Sequence, residues 1–292
     1  MSDTTLNESG LIAQLAARDV EIVALREELE ETNKGVVALY AELDDKAAQL
    51  RDANELKSRF LSYMSHEFRT PLTSMTSITG ILLSRLDGPL TAEQQKQVEF
   101  IRGSTRELTE MVNDLLDLAK VEAGRITISP EWFEMVDLFS ALRGMFKPIV
   151  QTGTVSLLFD EPEGEIKLFT DDKKLSQILR NFISNALKFT QAGEVRVSAR
   201  LLDEDQVEFA VTDTGIGIAA EHLQTLFKDF VQIDVPLQRR LRGSGLGLSL
   251  AAKFATLLGG RVGVESEVGK GSRFWVVVPV RFPEGSTPRV MP

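Results

Sequence analysis

The first 70 residues contain no proline, and their apolar residues recur at alternating spacings of three and four. The pattern runs through Leu11, Leu15, Ile22, Leu25, Leu29, Val36, Leu39, Leu43, Leu50, Phe60 and Met64. Such heptads predict a long helix whose apolar seam pairs with a second chain in a two-stranded coiled coil. Four seam positions are polar, namely Arg18, Thr32, Lys46 and Lys57. Polar core residues weaken the pairing and help to fix its register. We therefore expect a coiled coil over residues 1–53 and a homodimer.

A second helix follows the first after a short turn. Helical spacing continues beyond Pro71 and ends at the breaker Asp87-Gly88-Pro89. Thr91 and Gln94 then fit a capping box, and apolar residues keep the helical rhythm as far as Gly124. Two such helices form a hairpin, and two hairpins from a dimer would close a four-helix bundle. The sequence therefore predicts a dimerisation domain over residues 54–125.

Beyond Ser129-Pro130 strand-like and helical segments are mixed. The predicted strands are Val155–Phe159, Ile166–Phe169, Glu194–Leu201, Val207–Thr212, Arg261–Glu265 and Arg273–Val280. The predicted helices are Asp172–Phe189, Ala219–Phe227 and Leu246–Leu258. This pattern indicates an α/β domain over residues 130–282, followed by a flexible tail over residues 283–292.

The overall composition excludes several classes of protein. There is no apolar run of the roughly 20 residues that a bilayer crossing requires, so we expect no membrane span. The chain has no cysteine and its start lacks a signal-peptide pattern, which favours a cytoplasmic protein. A formal net charge of -10 disfavours nucleic-acid binding.

His66 is one of two histidines in the chain and lies beside Glu67, just before Pro71. Its place in the heptads puts it on the outward face of the helix, away from the apolar seam. Pro71 should bend the helix about one turn later. A zinc-protease motif would need a second histidine four residues on, where the chain has Thr70. No zinc site is therefore predicted.

Two glycine-rich stretches resemble nucleotide motifs but have the wrong spacing. Gly243-Ser244-Gly245-Leu246-Gly247 lacks the final glycine and the preceding strand of a dinucleotide fingerprint. Val268-Gly269-Lys270-Gly271 fails as a P-loop, because the lysine is not followed by Ser or Thr.

Other residues suit a different nucleotide site. Asp213 follows a strand and precedes Gly215 and Gly217; its carboxylate can accept a hydrogen bond from the amine of a base, and the glycines let backbone approach that base. Asn181 and Asn185 lie one helical turn apart and can reach a hydrated magnesium ion and its phosphates. The segment from Phe227 to Gly247 combines aromatic residues, a basic cluster and glycines before a helix, as a lid over a polyphosphate requires.

Together these motifs resemble a sensor histidine kinase of two-component signalling. FLSYMSHEFRTPLTSM resembles its H box, NFISNALKFT its N box and DTGIGI its first G box. LFKDFVQ resembles the F box, RGSGLGLSL the second G box and VGKGSRF the last glycine motif. The match runs from about Asn54 to Val280. Two positions depart from the pattern, since Lys228 replaces a usual Glu and Arg242 the first glycine of the lid motif.

The resemblance implies a Bergerat-type ATP-binding domain, an α/β sandwich with helices layered over one mixed sheet. It implies ATP and Mg²⁺ as cofactors, with Asp213 reading adenine and Asn185 holding magnesium. The implied nucleotide-binding residues are Asn181, Asn185, Lys188, Asp213, Gly215, Gly217, Phe227, Phe230, Arg239, Arg240, Gly243, Ser244, Gly245, Leu246 and Gly247.

The implied reaction is phosphorylation of His66, with transfer to an aspartate of a response-regulator receiver domain. Adjacency and the resemblance assign Glu67 to holding Nδ1–H, so that Nε2 attacks. Thr70 leaves regulator phosphatase activity as an alternative. A nucleotide-binding scaffold or pseudokinase is the other alternative, and a purely structural coiled coil would ignore more than half the chain. We expect either an upstream sensor protein acting on the coiled coil or a longer parent protein.

Overall fold

The computed structural model describes residues 3–86, 88–150, 154–161, 166–203, 205–232 and 245–283. It divides into two compact units, Met1–Arg59 and Phe60–Pro292. None of the helices within the described ranges combines the length and the apolar character needed to cross a bilayer.

The first unit belongs to helix α1, which spans Asp3–Ser84. Its seam residues between Ile22 and Leu50 are 43–67% exposed in the single chain. An uncovered apolar stripe of this length is what a coiled-coil seam presents before it pairs. The long helix is confirmed, and its pairing with a second chain stays a prediction.

The second unit begins with the remainder of α1 and helix α2 (Ala92–Glu122). Helix α1 continues through Pro71, so the proline does not end it; the predicted bend stays a prediction. The capping box is confirmed, because Thr91 Oγ1 accepts the Gln94 N–H at 3.2 Å and Gln94 Oε1 accepts the Thr91 N–H at 2.9 Å. Gly124 ends α2 with a φ of 64°, a left-handed conformation that favours glycine.

The α/β domain contains four further helices and seven strands within the described residues. The helices are α3 (Met135–Val150), α4 (Asp172–Phe189), α5 (Ala220–Leu223) and α6 (Gly247–Leu257). The strands are β1 (Glu131–Glu134), β2 (Val155–Phe159), β3 (Lys167–Thr170), β4 (Gly193–Leu201), β5 (Gln206–Asp213), β6 (Arg261–Glu267) and β7 (Gly271–Pro279).

Five strands form one mixed sheet in the order β2-β4-β5-β7-β6. Strands β2 and β4 are parallel and the other neighbours are antiparallel. Strands β1 and β3 form a separate antiparallel pair. The core lies between the five-stranded sheet and α3, α4 and α6, with Phe182, Phe209 and Phe254 fully buried. The predicted order, a helical region and then an α/β domain with a mixed sheet, is confirmed.

Two predictions of local structure need correction. Strand β1 and helix α3 were not predicted. Helix α3 packs into the core through Met135, Leu142 and Phe146, and Phe133 of β1 packs against that core. The predicted helix Ala219–Phe227 is a single turn, Ala220–Leu223, followed by turns as far as Phe230. No side chain caps its start, and none of its residues is buried, so little stabilises a longer helix there.

Candidate active site

His66 lies on the outer side of α1, where its side chain is 78% exposed. Its neighbour Ser65 is buried at 5%, so the two residues face opposite environments. His66 Nδ1 lies 3.9 Å from Glu67 Oε1, beyond hydrogen-bond distance. Both side chains are exposed, so small rotations could close this gap. The imidazole is accessible to a large reaction partner.

Thr70 lies one helical turn after His66, and its Oγ1 donates a hydrogen bond to the His66 carbonyl at 3.3 Å. Ser74 Oγ in turn donates to the Thr70 carbonyl at 3.1 Å. Because Pro71 has no N–H, it cannot donate to the carbonyl of Glu67. Thr70 is thus held by α1 at a fixed distance along the helix from the histidine.

Asp213 ends strand β5, and only 5% of the residue is exposed. Its Oδ1 accepts the Gly215 N–H at 2.8 Å and the Ser272 N–H at 3.3 Å. Burial raises the pKa of the Asp213 carboxyl above its usual value, and these two hydrogen bonds oppose the rise. Among the described residues both bonds go to Oδ1, which leaves Oδ2 as an acceptor for a ligand.

Glycines surround this carboxylate closely. A Cβ on Gly215 would lie 2.5 Å from the Phe189 carbonyl oxygen and 2.8 Å from Asp213 Oδ1. A Cβ on Gly217, where φ is 68°, would overlap the Glu267 carbonyl, and one on Gly271 that of Asp213. Only glycine fits at these points, so bare backbone forms a cradle around Asp213.

Helix α4 places its polar residues on one partly buried face. The Asn181 amide donates to the Gly247 carbonyl at 3.1 Å and so joins α4 to the first residue of α6. Asn185 lies one turn later and is partly buried. Burial lowers the pKa of the Lys188 ammonium, and the negative charge of Glu107 partly offsets this effect. A half-buried cation about one helical turn after Asn185 suits an anionic ligand.

The segment predicted as a lid is described only at its two ends. Phe227 packs edge-on against Phe274, with ring centroids 6.5 Å apart, whereas Phe230 is 63% exposed and has a φ of 61°. Gly245 has a φ of 71°, and a Cβ there would lie 3.1 Å from the carbonyl carbon of Phe230. The predicted site residues Arg239, Arg240, Gly243 and Ser244 lie outside the described residues.

The side chain of Leu246, which was predicted to bind nucleotide, is buried. It is 2% exposed and belongs to the hydrophobic core. Its carbonyl accepts hydrogen bonds from Leu250 N–H and Ser249 Oγ. Its side chain thus packs into the core at the start of α6, and its role in nucleotide binding stays a prediction.

Sequence reasoning missed Ser266 and Ser272. Ser272 pairs with Asp213 across β5 and β7, and with Ser266 across β7 and β6. The two hydroxyl oxygens are 2.9 Å apart. Because strand order is set by long-range pairing, no local motif could place these three residues side by side. The stretch VGKGSRF, which contains Ser272, was the one available signal.

The comparisons with known proteins cover both halves of this arrangement. The profile described as "His Kinase A (phospho-acceptor) domain" matches residues 56–124. The profile described as "Histidine kinase-, DNA gyrase B-, and HSP90-like ATPase" matches residues 170–281. The first match contains His66, and the second contains Asp213 and its cradle.

Relatives match most of this chain. It is 36% identical over 258 residues to the circadian input-output histidine kinase CikA of Synechococcus elongatus, covering 87% of this chain and 34% of CikA. It is 35% identical over 260 residues to the autoinducer 2 sensor kinase/phosphatase LuxQ of Vibrio parahaemolyticus, covering 85% of this chain and 29% of LuxQ. The chain thus spans about a third of the length of these curated relatives.

A solved structure shows the same architecture. The crystal structure of full-length ShkA in complex with AMPPNP matches with a TM-score of 0.61 and 34% sequence identity, over 75% of this chain and 45% of ShkA. Since the phospho-acceptor profile covers the His66 helices and the ATPase profile covers the Asp213 cradle in the same chain, this chain belongs to the sensor histidine kinases of two-component signalling.

Proposed function

We propose that this chain is an ATP-dependent protein-histidine kinase that autophosphorylates His66 and passes the phosphoryl group to an aspartate of a response-regulator receiver domain. One observation carries the proposal. A buried carboxylate, Asp213, keeps an acceptor oxygen inside a glycine cradle, in a chain that exposes an imidazole on a helix. Residues 54–125 present the histidine and residues 130–282 bind the nucleotide.

The Asp213 cradle fits an adenine base. Its Oδ2 can accept a hydrogen bond from an exocyclic amine, and the bare backbone at Gly215 admits a flat ring. The match to ShkA, which was solved with AMPPNP, supports an adenine nucleotide here. Loss of a hydrogen bond to a charged acceptor costs about 1.5–3 kcal/mol, so Asp213 would dominate recognition of the base.

Magnesium and phosphates would lie along α4. Within the described residues no group of three His, Asp or Glu side chains could hold a metal ion by itself. The amide oxygen of Asn185, waters and the phosphates would supply the ligands that Mg²⁺ prefers. The Lys188 ammonium would meet the phosphates as a point charge. When bound, Mg²⁺ neutralises charge that develops during phosphoryl transfer.

His66 provides the nucleophile. Neutral imidazole has a lone pair on Nε2 when the proton is on Nδ1. Glu67 would hold that Nδ1–H after closing its present separation of 3.9 Å, and would stabilise the imidazolium that forms. A bond forms between Nε2 and the γ-phosphorus while the bond from that phosphorus to the β–γ bridging oxygen breaks, and ADP leaves.

The proposed partners are inferred from side chains that are exposed to solvent in the single chain. Phe100, Ile101 and Leu108 on α2 are 47–75% exposed, an apolar face that a second hairpin would cover in a four-helix bundle. The same exposure of the α1 seam supports a coiled-coil homodimer, on which an upstream sensor protein would act. The receiver domain would approach the exposed His66.

The test is incubation of the full chain with γ-labelled ATP. We expect acid-labile, alkali-stable label that is lost in His66→Gln, with nucleotide binding retained. Asp213→Asn should lose nucleotide binding as well as label. Glu67→Gln should bind ATP normally but label slowly. Label that survives in His66→Gln would exclude His66 as the acceptor.

Thr70 favours regulator phosphatase activity as a second candidate function. Its hydroxyl is fixed one turn from His66 by the 3.3 Å bond to the His66 carbonyl. Mixing the chain with a phosphorylated receiver domain tests this activity. We expect the receiver domain to lose its phosphate more slowly with Thr70→Ala than with wild type, while labelling of His66 persists. Equal rates of phosphate loss with wild type and Thr70→Ala would exclude this role for Thr70.

A further inference from the structure

Three polar residues lie in a line across the sheet at the base-binding end. Asp213 on β5 is opposite Ser272 on β7, which is opposite Ser266 on β6. Opposed residues of neighbouring strands project from the same face of a sheet. We call Asp213, Ser272 and Ser266 the polar row. Ser272 is 7% exposed and Asp213 is 5% exposed, so these two residues are shielded from bulk water, and Ser266 is partly buried.

The direction of each hydrogen bond at Ser266 can be worked out from its partners. Its Oγ accepts the Ile218 N–H at 2.8 Å, and it donates to the Gly271 carbonyl at 2.8 Å. Neither direction can be reversed, since an amide N–H only donates and a carbonyl only accepts. A serine hydroxyl carries one proton, and Ser266 donates that proton to the Gly271 carbonyl.

The remaining contact of Ser266 is therefore also fixed. The hydroxyl oxygens of Ser266 and Ser272 are 2.9 Å apart, so one of them must donate to the other. Since the Ser266 proton is committed, the Ser272 O–H donates to Ser266. The hydroxyl proton of Ser272 therefore points toward Ser266 and away from Asp213. The lone pairs of Ser272 Oγ remain available to accept a hydrogen bond from a ligand.

We propose that Ser266 sets the hydrogen-bonding polarity of the polar row and thereby determines which base the site accepts. With Ser266 in place, Ser272 Oγ and Asp213 Oδ2 both act as acceptors. These two acceptors fit a 6-amino purine, whose amine can donate to them directly or through a bridging water. They oppose the 6-oxygen of a 6-oxo purine, which has no proton to offer; because N1 of such a base carries a proton, the row discriminates at the 6-position and not at N1. This inference rests on the proposed function, in which Asp213 meets the base.

Ser266 acts through Ser272 and is a positioning residue. Its bonds to Ile218 and Gly271 also connect the segment that follows β5 to strands β6 and β7, which by itself would be a structural role. A structural defect should weaken all nucleotides equally. A defect in polarity should change the ratio between a 6-amino and a 6-oxo nucleotide, because a released Ser272 hydroxyl can turn and donate to a 6-oxo group.

The experiment measures the Kd of Mg-ATP and of Mg-ITP for the full chain, since inosine changes only the 6-position and N1. We expect wild type to prefer ATP and Ser266→Ala to narrow the preference by about tenfold, the effect of one hydrogen bond. Ser266→Thr keeps the hydroxyl and should keep the preference. An equal loss of affinity for ATP and ITP in Ser266→Ala, or equal affinities for the two nucleotides in wild type, would overturn the proposal.

Ser272→Ala provides a second test that leaves both backbone bonds of Ser266 intact, in case Ser266→Ala fails to fold. It removes one acceptor from the row and should also narrow the preference. An unchanged ratio in Ser272→Ala would overturn the proposal. Failure of the proposed function looks different, because then wild type binds neither nucleotide or Asp213→Asn binds ATP as well as wild type does.

Discussion

Gly271 offers the sharpest test of how the cradle holds Asp213. Its φ is 105°, and a Cβ there would overlap the Asp213 carbonyl oxygen. Gly269, two residues earlier, provides a matched control, because its φ is 81° but a Cβ would meet nothing within 4 Å. Gly269→Ala therefore strains the backbone alone, whereas Gly271→Ala adds a collision with the strand that carries the carboxylate.

The magnitudes follow from these two terms. A left-handed conformation costs an alanine about 1–2 kcal/mol, and this term applies to both variants. Overpacking adds about 1–3 kcal/mol in Gly271→Ala only. The gain from restricting the unfolded chain is common to both variants and cancels in the comparison. For a domain of this size 1 kcal/mol shifts Tm by about 2–4 °C. Gly271→Ala should therefore melt about 2–12 °C below Gly269→Ala.

Thermal unfolding followed by circular dichroism, together with ATP titration, measures both effects. The collision pushes β5 and β7 apart where Ser272 N–H bonds Asp213, so we expect Gly271→Ala to bind ATP about tenfold more weakly. Gly269→Ala should bind ATP normally. If the two variants share one Tm and one ATP affinity, close packing of backbone does not hold the carboxylate.

Three further predictions concern charge and capping. Because the pKa of Asp213 is raised in the folded state, the unfolded chain loses this proton first as pH rises, and stability falls from the ordinary aspartate pKa upward. Asp213→Asn should therefore raise Tm at neutral pH, with the gain vanishing in acid; a gain that is constant with pH would contradict this. Thr91→Ala removes the N-cap of α2 and should cost about 1 kcal/mol in urea unfolding, with Thr91→Ser close to wild type. Lys253 Nζ lies 2.9 Å from Asp229 and 3.5 Å from Glu122, but all three side chains are about a third exposed, so Lys253→Met should cost under about 1 kcal/mol. High salt should shrink that difference, and a cost that persists in salt would point to lost packing.

The sequence predicted elements well where local chemistry fixes their ends. Helix α4 has the predicted bounds, Asp172–Phe189, because Asp171 caps its start and accepts the Lys174 N–H. Helix α3 was missed because Gly144 and Pro148 both disfavour a helix interior. It forms because tertiary packing buries Leu138, Phe139 and other apolar residues on one face.

The residues of the candidate site also fall into two groups, those that a local motif predicts and those that only the folded chain brings together. Asp213, Gly215 and Gly217 lie within five residues, so a linear motif suffices to predict them. Ser266 and Ser272 join them only through the strand order β5-β7-β6. That order comes from pairing between residues about 60 positions apart, such as Asp213 and Ser272. A linear motif does not contain the strand order, so the polar row could be identified only from the folded chain.

The proposed nucleophile and the proposed base-binding carboxylate need opposite surroundings, and the fold supplies them on separate elements. In the proposed reaction His66 meets both ATP and a receiver domain, and its side chain is 78% exposed, whereas Asp213 binds the base in a shielded position and is 5% exposed. Within the described residues, α2 makes polar contacts with the α/β domain, such as the 3.0 Å hydrogen bond from the Gln177 amide to Asp117. A single partly buried hydrogen bond of this kind contributes only about 0.5–1.5 kcal/mol, so it costs little to break.

The apolar end of α2 sets the larger cost of rearrangement. Leu118 and Val121 are 5% and 4% exposed and belong to the core of the α/β domain. Freeing two such side chains costs about 1.5–3 kcal/mol each. Any movement that brings the Asp213 cradle to a histidine must therefore either keep this anchor and bend after Gly124, or be driven by several kcal/mol from changed packing in the helices. A bend after Gly124 is the less costly route, because Gly124 already has left-handed backbone with open space around it.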